Sequence, residues 1–230
     1  MQIGILGATG PAGSALGVRL ASVGFDVVLG SRQQQRAAQV VGDLLARWPD
    51  LELPLVAGNN DDAADADLVV IATPWDSAAT TAHGLADRLD GKVVVSMANA
   101  LVRVGTEFQP LLPPRGSVAA HVQAAVPNSK VVAAFHHLPA KELGQLNHRL
   151  DSDVLICGDD QAAVHTVMEI TDKIPGCRPL DAGHPGRVAR VALEPHRHLD
   201  RAGRTGPHRR GRARPRRHQH RRRDLPRPQL

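Results

Sequence analysis

The chain has 230 residues, an apolar fraction of 42%, a net charge of +5, two cysteines and no tyrosine. This length allows one large domain or two small ones, and two cysteines are too few to indicate a metal site. No apolar run approaches the ~18 residues that a membrane span requires, and a core strand begins at residue 2, so no signal peptide is indicated. We therefore expect a cytoplasmic protein without membrane attachment.

The first elements of the chain are a strand, a glycine-rich turn and a helix. Ile3, Ile5 and Leu6 predict a buried strand, and Leu16 and Leu20 lie at helical spacing. Between them stands Gly7-Ala8-Thr9-Gly10-Pro11-Ala12-Gly13. Such a turn presents backbone N–H groups and the positive end of a helix dipole to a pyrophosphate. In the usual Gly-x-Gly-x-x-Gly register the first glycine is replaced by alanine, so the motif alone is also compatible with an ordinary structural turn.

The end of the second strand distinguishes between the two nicotinamide dinucleotides. A site for NAD usually carries an acidic residue there, whereas the 2′-phosphate of NADP needs cations and hydroxyl donors. Here the strand ends in Ser31 and Arg32, Arg36 follows one helical turn later, and Asp26 lies at the opposite end of the strand. The sequence therefore predicts NADP. The alternative is that the two arginines form only a solvated helix face.

The next part of the chain alternates between predicted strands and helices. Further strands are predicted over residues 25–31, 53–56, 68–73, 93–96, 131–135, 153–157 and 178–181. Helices are predicted over residues 33–46, from 74, over 117–125 and 161–173, with a helical turn at 59–62 and an irregular segment over 97–114. This alternation is typical of an α/β fold with a doubly wound parallel sheet. We expect a dinucleotide-binding domain over residues 1–150 and a small C-terminal lobe over 151–183 that closes over the cofactor end of the sheet.

Ligands of such sheets bind at the carboxyl ends of the strands. That rule brings together five segments that are distant in the sequence: Gly7–Gly13, Ser31–Arg32, Thr73–Trp75, Ser96–Leu101 and His136–Ala140. We therefore expect one continuous binding rim along this edge.

The residues of this rim favour a hydride transfer in which the protein only positions the two redox rings. Transfer between two redox rings needs no dedicated acid or base, because the donor and acceptor carbons only have to be held in line. The lack of tyrosine excludes a short-chain dehydrogenase with a Tyr-x-x-x-Lys pair. We assign no catalytic residue; His136 is the candidate for a proton shuttle or a polar contact, unless it only caps its strand. Trp75 either walls a flat ring or packs beneath its helix. No metal is predicted, because Asp159 and Asp160 are typical of a helix cap.

These motifs together resemble the coenzyme F420-dependent NADP reductases. The resemblance covers residues 1–183 and rests on the glycine turn and on further segments in the same order: Val28–Arg32, Thr73–Trp75, Lys92–Ser96, His136 with Leu138–Ala140, Cys157–Asp160 and Arg178–Gly183. It implies a Rossmann-type fold, NADP and coenzyme F420 as partners, and reversible hydride transfer between NADPH and the 5-deazaflavin ring. It also suggests a homodimer.

The resemblance assigns cofactor-binding residues by position. The residues that match the family's NADP contacts are Thr9, Gly10, Ser31, Arg32 and Arg36, the last in place of a lysine. Those that match positions near the nicotinamide half are Trp75, Ala79, Leu101 and Ala140, and those expected at the deazaflavin pocket are His136, Leu138 and Pro139. The predicted set is completed by Gly7, Ala8, Pro11, Ala12, Gly13, Thr73 and Pro74. His137 and residues 97–99 depart from the family pattern.

The segment over residues 184–230 departs further, since the family continues with an amphipathic helix and an apolar segment that completes the deazaflavin pocket. Residues 1–180 carry 13 Lys and Arg against 19 Asp and Glu, whereas residues 181–230 carry 15 Arg and 4 acids. This composition predicts disorder beyond about Ala202. Three interpretations remain: a basic arm for nucleic acid, a functionless extension, or out-of-frame translation of a GC-rich gene, which we favour over the others. In the last case the chain binds NADP but is a poor or inactive catalyst.

Two further functions compete with the reductase. One is a non-catalytic NADP-binding redox sensor. The other is an NADP-dependent imine or keto-acid reductase, which should supply a catalytic Lys or Asp beyond the first domain, where Lys141 and Lys173 are the late lysines.

Overall fold

A computed structural model describes residues 1–183 of the chain. The predicted disorder beyond Ala202 and the three interpretations of the basic tail concern residues 184–230, which lie outside the described part.

The described residues contain ten strands and eight helices. The strands are β1 (Gln2–Leu6), β2 (Asp26–Ser31), β3 (Leu55–Asn59), β4 (Leu68–Ile71), β5 (Val93–Ser96), β6 (Leu101–Val104), β7 (Glu107–Pro110), β8 (Lys130–Ala133), β9 (Ser152–Gly158) and β10 (Cys177–Gly183). The helices are α1 (Pro11–Ser22), α2 (Gln34–Arg47), α3 (Asn60–Ala64), α4 (Trp75–His83), α5 (Ala86–Leu89), α6 (Val118–Ala125), α7 (Ala140–Leu143) and α8 (Gln161–Asp172). Within residues 1–183, no helix has both the length and the apolar character to cross a bilayer.

Eight strands form one sheet in the order β10-β9-β8-β5-β4-β1-β2-β3. From β3 to β8 all neighbours run parallel. The chain order reverses between β1 and β4, which is the switch point at which doubly wound sheets bind ligands. The predicted Rossmann-type α/β fold is therefore confirmed.

Helices cover both faces of this sheet, as the alternation of side chains along the strands requires. In β4, Leu68 and Val70 enter the core that α1, α2 and α8 also line, whereas Val69 and Ile71 enter the core lined by α3, α4 and α6. All four side chains are buried. Burial on both faces explains why this strand is continuously apolar in the sequence.

The predicted helical turn at residues 59–62 is present as the start of α3. The Asn59 side chain accepts the backbone N–H of Asp62 at 2.9 Å, and the Asp62 carboxylate accepts the N–H of Asn59 at 2.8 Å. This capping box satisfies N–H groups that have no acceptor within a helix. The preceding strand, β3, ends three residues later than predicted.

The predicted irregular segment over residues 97–114 contains an antiparallel hairpin of β6 and β7, so that prediction is wrong for residues 101–110. Leu101 pairs with Pro110 and Val104 with Glu107. Every residue of the two strands is exposed. Because neither face enters a core, the continuous apolar runs that identified the strands of the large sheet are absent here.

The predicted C-terminal lobe over residues 151–183 consists of β9, α8 and β10, and it continues the edge of the sheet across the predicted boundary at residues 150 and 151. β9 pairs antiparallel with β8, through Val132 with Gly158 and Ala133 with Cys157, and β10 runs parallel to β9. In this register Cys157 and its partner Gly183 are level with Ala133 at the carboxyl end of β8, and the first residues of β9 extend beyond that end. That this lobe closes over the cofactor end of the sheet stays a prediction.

Candidate functional site

A cleft of about 1080 Å³ lies along the carboxyl ends of the parallel strands. Twelve of the predicted cofactor-binding residues line it: Gly7, Thr9, Gly10, Pro11, Ala12, Ser31, Arg32, Arg36, Thr73, Pro74, Trp75 and His136. They come from four separate segments of the chain, as the rule for parallel sheets predicts.

The three glycines of the turn, Gly7, Gly10 and Gly13, are spaced three residues apart, and the structure explains this spacing. Gly7 has a φ of +72°, a left-handed value that favours glycine, and a Cβ on it would lie 2.6 Å from Cγ2 of Thr73. A Cβ on Gly13 would lie 3.0 Å from that of Ala72, so this glycine allows α1 to approach the sheet closely. The first and last roles of a dinucleotide turn thus fall on Gly7 and Gly13, and the apparent irregularity at Ala8 has no structural consequence.

The start of α1 offers a place for an anion. Gly10 caps the helix and Pro11 follows as its first residue, where the missing N–H of proline costs nothing. The N–H groups of Ala12 and Gly13 have no acceptor within the helix, and the helix dipole adds positive potential. A Cβ on Gly10 would meet no atom closer than 3.7 Å, so a ligand can approach the backbone here.

The end of the cleft beside β2 and β3 is cationic; we call it the adenosine end and define it by Ser31, Arg32, Gln33, Arg36 and Asn60. Both arginines are exposed, whereas Ser31 is buried and its Oγ accepts the N–H of Gln33 at 3.2 Å. Its hydroxyl hydrogen is still able to donate. Among the described residues no carboxylate lines the cleft, and Asp26 lies at the other end of β2, as predicted. These groups fit a phosphate better than a ribose hydroxyl.

The opposite part of the cleft has a more apolar wall. Trp75, at the start of α4, is 37% exposed, which leaves its ring available as a flat surface. Thr73 carries a buried Oγ1 without a hydrogen-bond partner. Since buried polar atoms are usually paired, this hydroxyl fits a site for a polar ligand.

His136 closes the far wall, and it is buried with both ring nitrogens unpartnered. Burial lowers its pKa to about 3, with a smaller contribution from neighbouring His137. The ring is therefore neutral near pH 7, with one donor and one acceptor nitrogen. It follows Phe135, which has an unusual φ of +62°. The Nδ2 group of Asn99 donates to the His136 carbonyl oxygen at 3.4 Å.

Seven predicted residues do not line the cleft: Ala8, Gly13, Ala79, Leu101, Leu138, Pro139 and Ala140. The side chain of Ala8 is fully buried, and its N–H donates to Gly30 at 3.0 Å. Leu138 belongs to the hydrophobic core. Pro139 is the N-cap of α7, beside Ala140, which packs against the core.

Eight residues that were not among the predicted cofactor-binding residues also line the cleft: Gln33, Asn60, Ala72, Ser77, Thr81, Met97, Ala98 and Asn99. Ser77 and Thr81 lie four residues apart on α4 and therefore share one face of the helix. Helical spacing in the helix that begins at Trp75 would have predicted them. Residues 97–99 follow β5 on the predicted rim. Asn60 follows β3, whose predicted end was too early to indicate it.

Known proteins are similar to this chain in sequence and in fold. The model of the family described as "NADP oxidoreductase coenzyme F420-dependent" matches residues 2–100. An F420-dependent NADP reductase from Methanocaldococcus jannaschii is 34% identical over 189 residues, which cover 80% of this chain and 84% of the relative. Another from Methanothermobacter thermautotrophicus is 28% identical over 189 residues, covering 80% of this chain and 81% of the relative.

A solved structure shows a similar fold. The crystal structure of a candidate F420-dependent NADP reductase from Arthrobacter sp. FB24 superposes with a TM-score of 0.71 at 24% identity, covering 88% of this chain and 94% of that one.

Proposed function

Because this chain belongs to the family of F420-dependent NADP reductases, we propose that it transfers a hydride between NADPH and the 5-deazaflavin ring of coenzyme F420. The observation that carries the proposal is a single cleft with a glycine turn and two arginines at one end and a buried neutral histidine at the other. An enzyme for two coenzymes needs such a cleft, because both redox rings must lie in contact.

The residues present fit a phosphorylated dinucleotide. The turn between Gly7 and Gly13 would hold the pyrophosphate by its N–H groups, and Ser31, Arg32 and Arg36 would hold the 2′-phosphate. Guanidinium groups bind phosphate oxygens by charge-assisted hydrogen bonds. These contacts would hold the adenosine half and would leave the region of Thr73 and Trp75 for the nicotinamide half.

His136 would contact the second ring as a neutral group. Its two unpartnered nitrogens offer one donor and one acceptor to a polar ring edge, and a pKa of about 3 makes it a poor general acid near neutrality. Leu138, buried in the core, would support this wall from beneath rather than touch the ring. NADPH supplies the hydride when it is bound, and the task of these residues is to orient and to exclude water.

We also propose a homodimer and a cytoplasmic location, with the two coenzymes and no nucleic acid as partners. The homodimer rests on the family resemblance, and sedimentation of the purified protein would test it. The location is supported by the cysteine content, because the chain has only two cysteines and cytosolic proteins rarely depend on disulfides.

The test is an assay under anaerobic conditions of the full chain with NADPH and oxidised coenzyme F420, following the visible absorption of the deazaflavin. We expect bleaching that requires NADPH and is much slower with NADH. Tight NADPH binding without bleaching would contradict the reductase and favour a non-catalytic NADP-binding protein. Reading the neighbouring frame of the coding DNA from about codon 184 would then tell whether the enzyme is damaged by a frameshift.

A further inference from the structure

Asn60 is a residue of the adenosine end to which neither the sequence motifs nor the family resemblance assigns a role. It is the first residue of α3 and lines the same cleft as Arg32 and Arg36. Ser31 and Asn59 are register partners in the pairing of β2 with β3. Arg32 and Asn60 each follow one of these partners, so they stand at the ends of adjacent strands.

The side chain of Asn60 has an oxygen that can still bond a ligand, whereas the side chains of Asn59 and Asp62 are engaged in hydrogen bonds. Its Oδ1 atom is buried without a hydrogen-bond partner, an arrangement that is rare in folded proteins. The side chains of Asn59 and Asp62, in contrast, bond each other's backbone in the capping box. The helix cap therefore uses those two residues and does not use Asn60.

The charge of this position matters because of what surrounds it. Two guanidinium groups line the adenosine end, and none of the described residues that line it is acidic. The acids of α3 are engaged elsewhere: Asp61 lies 3.9 Å from Arg88, and Asp62 belongs to the cap. A carboxylate at position 60 would be the first negative charge in a pocket meant for a phosphate that carries nearly two.

We propose that Asn60 is a specificity-determining residue for the dinucleotide: its neutral amide keeps the adenosine end open to the 2′-phosphate of NADP, and a carboxylate there shifts preference toward NAD. A carboxylate repels the phosphate directly and competes for Arg32, whereas it can accept hydrogen bonds from the 2′-hydroxyl of NAD. This inference rests on the proposed NADP binding and does not depend on hydride transfer to the deazaflavin.

The test compares Asn60→Asp with the matched control Asn59→Asp. Both add one negative charge at adjacent positions, and aspartate is as good an N-cap as asparagine, so the control retains the capping box. Dissociation constants for NADP and NAD are measured by titration calorimetry of the full chain. We expect Asn60→Asp to weaken NADP binding at least tenfold while NAD binding stays the same or improves, and Asn59→Asp to change both less than threefold.

Three results would overturn the inference. Equal losses of NADP affinity in both variants would point to net charge alone, and equal losses for NADP and NAD in Asn60→Asp would point to a structural effect. Absence of any preference for NADP in the unaltered chain would remove its premise. Asn60→Glu gives a second carboxylate if Asn60→Asp fails to fold, and Asn60→Ala should keep the preference for NADP. If the unaltered chain binds NADP without reducing the deazaflavin, the proposed function fails while this inference stands.

Discussion

Arg19 joins α1 to the end of α7 and the loop after it: its Nε donates to the carbonyl oxygen of Leu143 at 2.9 Å. The same guanidinium donates to the carbonyl oxygens of Glu142, Gln145 and His148 at 3.2, 2.6 and 3.3 Å. Arg19 is only 1% exposed, and burial lowers its pKa. Its acceptors lie at the end of α7 and in the loop after it, where a helix leaves carbonyl oxygens without intrahelical donors. The carbonyl oxygens of Glu142 and Gln145 also accept backbone N–H groups. One helix thus carries the glycine turn at its start and this clamp in its last turn.

Replacing Arg19 by Met should destabilise the fold by about 3 kcal/mol, because it removes four hydrogen bonds that a buried guanidinium donates to carbonyl oxygens. Urea denaturation would measure the change. The control is Arg149→Met, since the Arg149 side chain is 74% exposed and makes one surface ion pair with Asp151 at 3.8 Å; it should cost less than about 1 kcal/mol. Equal losses in the two variants would show that the clamp contributes nothing particular.

Replacing Arg32 by Ala should weaken NADP binding by about ten- to a hundredfold, because charged hydrogen bonds contribute about 1.5–3 kcal/mol. NAD binding should change little. Arg47→Ala is the matched control, since Arg47 lies in the last turn of α2 and does not line the cleft. Calorimetric titration measures both constants, and an unchanged NADP constant for Arg32→Ala would refute the assignment of the adenosine end.

Replacing Gly7 by Ala should abolish dinucleotide binding and destabilise the protein. The left-handed φ of +72° costs about 1–2 kcal/mol for alanine, and its Cβ would stand 2.6 Å from Thr73. Gly91→Ala separates these two causes, because Gly91 has a φ of +70° and no atom within 4 Å of a Cβ. Thermal and urea unfolding should therefore show a smaller loss for Gly91→Ala, with NADP binding retained. Similar losses in both would mean that the close approach to Thr73 is easily relieved.

His136 should make stability fall as the pH is lowered. Its pKa is about 3 in the folded protein and near 6.5 when unfolded. Between these values the unfolded chain binds the proton and the folded chain does not, so stability is lost as pH falls through 6.5 and the loss levels off near 3. From pH 7 to pH 5 we expect the unaltered protein to lose about 2 kcal/mol more than His136→Phe.

Urea denaturation at the two pH values measures this difference in slope. His165→Phe, at an exposed histidine of α8, is the control and should keep the slope of the unaltered protein. The same slope in His136→Phe would show that this ring takes up its proton in the folded state as easily as in the unfolded one.

The sequence was informative where one physical requirement dominates a position. Strands buried on both faces, such as β4, are continuously apolar, and Gly7 and Gly13 stand where a Cβ does not fit. Local patterns of this kind revealed the sheet and the edge at which the cleft lies. Arg32 and Arg36 were predicted at this edge because cations at the end of β2 suit a phosphate, and both line the cleft.

The remaining features depend on contacts that a local pattern does not contain. The hairpin of β6 and β7 has no buried face. The strand β9 pairs antiparallel with β8, and the apolar residues of β9 would be the same for either direction of pairing. Leu138 is apolar, as a residue in contact with a flat ring would be, but it packs in the hydrophobic core. Asn60 and Asn59 are identical in type, and only the capping box distinguishes them.

The reversed direction of β9 brings the start of the predicted C-terminal lobe to the edge of the sheet that carries the cleft. Cys157 pairs with Ala133, at the carboxyl end of β8, so the residues of β9 that precede Cys157 extend beyond that end. Five residues of β9 precede Cys157, which corresponds to about 17 Å along the strand. The carbonyl oxygen of Asp153 lies 2.8 Å from Nε2 of His137, so the start of β9 stands beside the wall of the cleft that His136 forms.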